Sequence, residues 1–304
     1  MAIIAHNLQF SFLDKIALSL ISSALLLKAG FFPFYFWKPE AYKASPVPVI
    51  ILSIVSSLSA IYVLFRIAFD VFGPNIVFGW ILILFSILSI FTGVFFALRE
   101  NRIKRILAYL AISELGYIIL GISSGFLRPD TDFGFKAIQG GLFHMVNDIL
   151  DMGLLFLIIG AIVYVSKTKN IFKIRGLAHR EPWLSGLFLL GVLAISGIPP
   201  LNGFASKIMI YESVFHLSPP LAIAAILGSI LILAVLVKVF ASIFLGKPSG
   251  NYQPVPKLVN MVIFVFAILM VLIGFFPKQF VSSFVDPATQ ALINQQDYVN
   301  SLIH

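Results

Sequence analysis

The sequence predicts an all-α integral membrane protein, and three observations predict it. Of the 304 residues, 60% are hydrophobic and 11% charged, with a mean hydropathy of +1.02, more apolar surface than a water-soluble fold of this size tolerates. Apolar runs recur along the whole chain, each reaching or exceeding the roughly 20 residues that a helix needs to cross about 30 Å of hydrocarbon. The ten-residue alternation of a membrane β-barrel is missing. Because the runs continue to about Phe280, a lone N-terminal signal peptide does not account for them.

Eight spans are expected, at about 15–34, 46–70, 76–98, 103–124, 136–165, 183–213 with an internal break, 219–246 and 258–281. Turn signals punctuate them, such as Phe72-Gly73-Pro74-Asn75, Arg128-Pro129-Asp130 and Gly246-Lys247-Pro248-Ser249-Gly250. No linker divides the chain, so residues 1–304 read as a single polytopic domain. The loops at 38–45, 99–105, 167–180 and 247–257 hold thirteen of the 21 Lys and Arg, whereas the opposite side holds Lys15, Arg128, Lys136 and Lys278. Basic residues accumulate in short cytoplasmic loops, so both termini are expected outside. The net charge of +8 is then a topology signal, and no nucleic-acid partner is called for.

Composition also removes whole classes of chemistry. With no cysteine in the chain, thiolate-held iron–sulfur clusters, disulfides and cysteine nucleophiles are excluded. None of the five histidines forms an HxxxH or HExxH pair, so no metal or other resident cofactor is expected.

Two spans carry helix breakers: Lys28-Ala29-Gly30-Phe31-Phe32-Pro33 in the first, and Ser196-Gly197-Ile198-Pro199-Pro200-Leu201-Asn202-Gly203 in the sixth, with Lys207 just beyond. Proline removes a backbone donor, and non-helical backbone at membrane depth survives only where protein buries it or water lines it. Paired broken helices with charges beside them mark transporter binding sites, although one such break alone reads as a kink.

A charge at mid-bilayer costs roughly 2.5–3.5 kcal/mol on insertion scales, so each needs a reason. The candidates for ion or proton translocation are Lys28, Glu114, His144, Asp148, Asp151, Lys207 and Lys238. His144, Asp148 and Asp151 stand at i, i+4 and i+7, on one helical face with Asn147 beside them. Two carboxylates one turn apart repel, which favours protonation of one of them; the bland alternative is Asp–Lys glue between helices. Glu114 alone is equally compatible with a protonated interhelical hydrogen bond. Lys238 lies near a span end and can snorkel. Arg66 and Asp70 read as a mutually satisfied surface pair, and Glu212 as a rim residue.

These segments resemble the antiporter-like membrane subunits shared by respiratory complex I, Mrp-type cation/proton antiporters and energy-converting membrane-bound hydrogenases. The resemblance runs from about Leu25 to Gly246. Lys28-Ala29-Gly30-Phe31-Phe32-Pro33 through Trp37-Lys38-Pro39-Glu40-Ala41, followed by Ser45-Pro46-Val47-Pro48-Val49, looks like the family's seventh-helix lysine, break and following turn. Asn101-Arg102-Ile103-Lys104-Arg105-Ile106-Leu107-Ala108-Tyr109 with Ser113-Glu114-Leu115-Gly116-Tyr117 is similar to a second family stretch. Gly197-Ile198-Pro199-Pro200 through Gly203-Phe204-Ala205-Ser206-Lys207 looks like its broken twelfth helix, and Asn170-Ile171-Phe172 with Gly176-Leu177 like a cytoplasmic loop.

The resemblance implies that the eight spans match the family's seventh to fourteenth helices. Residues 1–75 would be a remnant of the first inverted repeat, 76–250 the second five-helix repeat, and 251–304 the final helix and tail. The fifth-helix glutamate that pairs with a Lys28-type lysine would lie outside this sequence, so Lys28 needs an acid from another subunit. Leu52 stands where a histidine is common, Asp151-Met152 where relatives often have lysine, and Asp148 where histidine is frequent, while His144 matches a family histidine. The implied role is a proton- or sodium-translocating subunit of a multisubunit oxidoreductase in the cell membrane, archaeal and ferredoxin-oxidising, such as a hydrogenase or its sulfur-reducing relative. Its implied partners are lipid, H+ or Na+, and other membrane subunits, including a full-length antiporter-like one. A component of a standalone Mrp-type antiporter and a non-transporting spacer are the alternatives.

Overall fold

The computed structural model describes residues 11–248 and 254–294, and these are helical throughout apart from connecting turns. Ten helices carry the architecture: α1 (Phe12–Ala29), α2 (Pro46–Phe72), α3 (Ile76–Arg99), α4 (Ile103–Phe126), α5 (Asp132–Ser166), α6 (Pro182–Ile195), α7 (Asn202–Leu217), α8 (Pro219–Phe244), α9 (Lys257–Phe275) and α10 (Asp286–Ile293). Local sequence fixes many of the ends. Ser11 and Asp14 close a capping box at the start of α1. Asn75 accepts from the Phe78 amide at 3.0 Å, and Thr131 from the Gly134 amide at 3.0 Å. Pro182 and Pro219 occupy first turns, where a missing N–H costs nothing.

Six helices, α2, α3, α4, α5, α8 and α9, are long and apolar enough to cross a membrane. The two other expected spans differ for physical reasons. Helix α1 is 18 residues long and carries Asp14, Lys15 and Lys28, which dilutes its apolar character. The expected sixth span is two half-helices, α6 of 14 residues and α7 of 16, separated by Ser196–Leu201.

Helix α4 is the centre of the bundle: 94% of its apolar stretch is buried, against 17% for α9. Close approach at α4 depends on residues without side chains. A Cβ on Gly93 would lie 2.6 Å from the Tyr109 carbonyl oxygen, and one on Gly121 only 3.0 Å from the Gly141 Cα. Small residues of this kind let backbones meet where lipid offers no hydrophobic drive between helices. Gly121→Val is therefore expected to force α4 and α5 apart and to cost about 1–3 kcal/mol by overpacking. Thermal unfolding of the detergent-solubilised protein measures this, and an unchanged midpoint would contradict the close α4–α5 contact. On the outer helices, Trp80, Leu84, Ile230, Val237, Phe264 and Leu272 are exposed, as a bilayer solvent requires.

Loop contacts gather the basic segments at one end of the bundle. Lys104 Nζ donates to the Ala44 carbonyl (2.5 Å), the Ile103 amide to Lys169 O (3.0 Å), and the Gly176 amide to Leu245 O (2.9 Å). At this end Lys43 bonds Glu40 and holds its carboxyl below the usual range, with Arg105 adding its charge at 3.5 Å. This stabilising pair is present at neutral pH and lost as acid protonates Glu40.

Beyond α9 the chain turns back through Pro277–Phe280 and Val281–Val285 into α10. Val285 and Leu292 pack with Leu64 and Phe65 of α2. Gln139 donates to Asp286, and Arg66 to the Ala291 carbonyl. The Arg66–Asp70 pair expected at the surface is formed, at 2.7 Å, but it is buried: Asp70 is 4% exposed. Spacing along α2 gave the pair, and the folded-back α10, invisible to local pattern, covers it.

Candidate functional site: a buried acid–base chain

Four helices aim polar side chains at the middle of the bundle. Helix α4 supplies Glu114; α5 supplies His144, Asn147, Asp148 and Asp151; α7 supplies Asn202, Ser206 and Lys207; α8 supplies Ser229. All are buried, and His144 and Lys207 have no exposed surface. The interruption between α6 and α7 makes the arrangement possible. Helix α6 ends in a Schellman-type turn, with Gly197 N–H to Ala194 O and Ile198 N–H to Leu193 O, both 2.9 Å, and Gly197 left-handed at φ 71°. The carbonyls of Ile195 and Ser196 are thereby turned inward.

Lys207 takes up those carbonyls. Its three N–H groups donate to Ile195 O (2.7 Å), Glu114 Oε1 (3.1 Å) and Ser229 Oγ (3.2 Å), and Ser229 in turn donates to Ser196 O. The ammonium also lies 4.2 Å from the centre of the Tyr117 ring. Every donor of the buried cation is satisfied, which is the condition for a desolvated charge to be tolerated.

The second oxygen of Glu114 meets His144 Nε2 at 2.9 Å, and His144 Nδ1 meets Ser206 Oγ at 3.0 Å. Ser206 also accepts from Asn147 Nδ2 (2.9 Å) and lies 3.2 Å from Gly203 O. One hydroxyl hydrogen therefore has two acceptors. When it points at Nδ1, His144 donates from Nε2 to Glu114; when it points at Gly203 O, His144 donates from Nδ1 to Ser206, and a further proton then lies between Nε2 and Glu114, on the imidazolium or on the acid. The imidazole thus has two hydrogen-bonded states that differ by one proton, the requirement for a relay. Asn147 extends the chain to Asn202 O (2.9 Å), and Asn202 Nδ2 reaches Asp151 Oδ1 (2.8 Å). An amide passes no proton readily, so movement beyond Ser206 requires water. The buried oxygens Asn147 Oδ1, Asn202 Oδ1, Asp148 Oδ1 and Ser196 Oγ have no protein partner, the usual mark of polar space that water serves.

Of the residues singled out from sequence, Glu114, His144, Asp151 and Lys207 fall in this one connected cluster, and Asp148 lies beside it. Lys28 does not join it: its side chain is exposed on the last turn of α1. Lys238 also stands apart, donating to the Leu98 carbonyl at the end of α3 (2.8 Å) over the Phe172 ring. Sequence reasoning missed Ser206, Asn202 and Ser229, which carry no charge, and it counted Lys38 as a loop residue. Lys38 has no exposed surface, and its Nζ donates to Ala29 O at 3.1 Å. The usable signal was a shared pattern: G-x-x-P followed by lysine occurs at Gly30–Lys38 and again at Gly197–Lys207.

A bundle of this kind, with a broken helix whose free carbonyls hold one end of a buried acid–base chain, defines an all-helical, polytopic membrane protein with a charged interior. The chain belongs to the NADH:quinone oxidoreductase/Mrp antiporter transmembrane family, whose profile matches residues 2–233. It is 32% identical over 300 residues to hydrogenase-4 component B of Escherichia coli, covering 88% of this chain and 44% of that protein. It is 27% identical over 283 residues to an Na(+)/H(+) antiporter subunit of Bacillus subtilis, covering 91% and 56%. The chain spans about half the length of these curated relatives. Its fold superposes on a chain of the Mrp complex from Dietzia sp. DQ12-45-1b with a TM-score of 0.86 at 22% identity, over 99% of this chain and 63% of that one.

Proposed function

We propose that this chain is a proton- or sodium-translocating subunit of a multisubunit respiratory oxidoreductase, of the archaeal ferredoxin-oxidising hydrogenase or sulfur-reducing kind. The observation that carries the reading is the Glu114 carboxylate, held between Lys207 at 3.1 Å and His144 at 2.9 Å inside the bundle. In a low-dielectric interior, moving a proton onto or off any one of these groups changes the proton affinity of the other two. That coupling is what an ion pump needs. With no cysteine to hold an iron–sulfur cluster, the driving energy in this reading arrives from partner subunits or from an existing gradient.

In this reading eight spans cross the cell membrane, with α1 and the α6–α7 pair added to the six long apolar helices. Residues 76–250 form one complete repeat, and 1–75 belong to another. Both termini face outside, because the end that gathers the basic loops is cytoplasmic. The exposed Lys28 ammonium finds its acid on a neighbouring full-length antiporter-like subunit. The 27% identity to an Na(+)/H(+) antiporter subunit favours a second reading, membership in a standalone antiporter.

The test uses the native complex, purified and reconstituted into vesicles. Asp151→Asn is expected to assemble and to lose most ion uptake, because the amide keeps an acceptor for Asn202 but no longer titrates. Uptake at the wild-type rate would leave a spacer role. Co-purification of a redox subunit selects the oxidoreductase, and its absence the standalone antiporter.

A further inference from the structure

The turn that ends α1 repeats the one that ends α6. Gly30 N–H donates to Leu27 O and Phe31 N–H to Leu26 O, both at 3.1 Å, with Gly30 left-handed at φ 67°, the same bond pattern that Gly197 and Ile198 make. Each glycine precedes a proline by three residues, with a cis bond before that proline. Each is also crossed by a lysine stem: a Cβ on Gly30 would lie 3.0 Å from Lys38 Cδ, and one on Gly197 3.0 Å from Lys207 Cδ. Each lysine then donates to a freed carbonyl of the helix before the break, Lys38 to Ala29 O and Lys207 to Ile195 O. Lys38 thus stands to the first break as Lys207 stands to the second.

The two sites differ in what completes them. Lys207 has three acceptors, one of them Glu114. Lys38 has a single hydrogen-bond acceptor among the described residues, and its ammonium lies 5.7 Å from the centre of the Tyr42 ring. The carboxylate whose charge acts on it is Asp148, yet the two are not within ion-pair distance, and Asp148 Oδ1 is buried without a partner. Tyr42 Oη and Ser57 Oγ are likewise buried without a hydrogen bond, and the Tyr42 ring packs 5.4 Å from the Phe156 ring of α5. A cavity of about 10 Å³ lies between α2 and α5, lined by Asp148, Ser53 and the same Phe156. That is the lower end of the ~10–15 Å³ that one water occupies.

We propose that Lys38 and Asp148 form a second acid–base unit of the conduction route, joined through water beside Tyr42 and Ser57, with Lys38 serving Asp148 as Lys207 serves Glu114. The unit carries protons between the central chain and the α1–α2 side of the bundle: Lys38 releases a proton to water, Asp148 takes it up and passes it through water to the central chain, and a proton from the α1–α2 side restores the Lys38 ammonium. This rests on the ion-translocating reading given above.

The variant that separates a relay from a fixed structural charge is Lys38→Arg. Arginine keeps the cation but holds its proton at any physiological pH. In vesicles containing the reconstituted complex, Lys38→Arg is expected to assemble and to lower ion uptake by at least roughly tenfold. Adding Asp148→Asn is expected to lower it no further, since both changes break one unit. Should Lys38→Arg fail to assemble, Lys38→Met with Asp148→Asn removes both buried charges together and takes its place, with the same loss expected. Wild-type uptake by either variant overturns the proposal. Glu114→Gln in parallel tells the two readings apart: if it abolishes uptake while Lys38→Arg does not, the second unit fails and the central chain stands. If neither changes uptake, both readings fall.

Discussion

Glu114→Gln is expected to abolish ion uptake by the reconstituted complex, a fall of roughly a hundredfold or more, while the bundle still assembles. The amide matches the carboxylate in size and keeps an oxygen for Lys207, so packing around α4 is preserved. What disappears is the titrating group that joins Lys207 (3.1 Å) to His144 (2.9 Å). Without it the imidazole has no acid to exchange protons with, and the ammonium no counter-charge to switch against. Vesicle uptake, normalised to the amount of assembled complex, reads the effect directly. Uptake within a few-fold of wild type would mean that ions take a route that avoids α4.

Lys207→Met should produce the largest loss of stability of any single change at this site. Removing one partner from a buried ion pair leaves the other charge unpaired, at a cost of about 3–5 kcal/mol. Glu114 would retain only His144, and Ile195 O and Ser229 Oγ would each lose the Lys207 donor. Combining Lys207→Met with Glu114→Gln should restore most of the loss, because no isolated charge then remains. Chemical denaturation of the purified protein in detergent compares the three variants. If Lys207→Met proved as stable as wild type, Glu114 would have to be uncharged in the native protein, and the Lys207–Glu114 contact would be a neutral hydrogen bond.

Much of this site was legible in the sequence, for a simple reason. Ionisable residues inside apolar runs are conspicuous, and helical periodicity placed His144, Asp148 and Asp151 on one face before any fold was known. Helix breakers between Ser196 and Gly203 likewise announced the interruption beside Lys207. What was not legible shares the opposite cause. Lys38 lies in a short turn among residues typical of a surface loop, and only the path of its side chain back across Gly30 takes it into the interior. Lys28 stands in an apolar run, and only the packing of α1 decides that its side chain is exposed. Arg66 and Asp70 met as their spacing implied, but their burial comes from α10, more than 200 residues further along the chain.

The sequence by itself determined that the chain is a helical membrane protein, where its long apolar helices run, where the helix before Lys207 breaks, and which charges need an explanation. These follow from the hydrophobic length of the bilayer and from backbone hydrogen bonding, both local properties that each segment carries alone. Only the tertiary structure decided which acid meets which base. Pairing of Lys207 with Glu114, 93 residues apart, depends on the rotation and depth of α4 against α7, set by the small-residue contacts between packed helices, and no local pattern encodes that geometry.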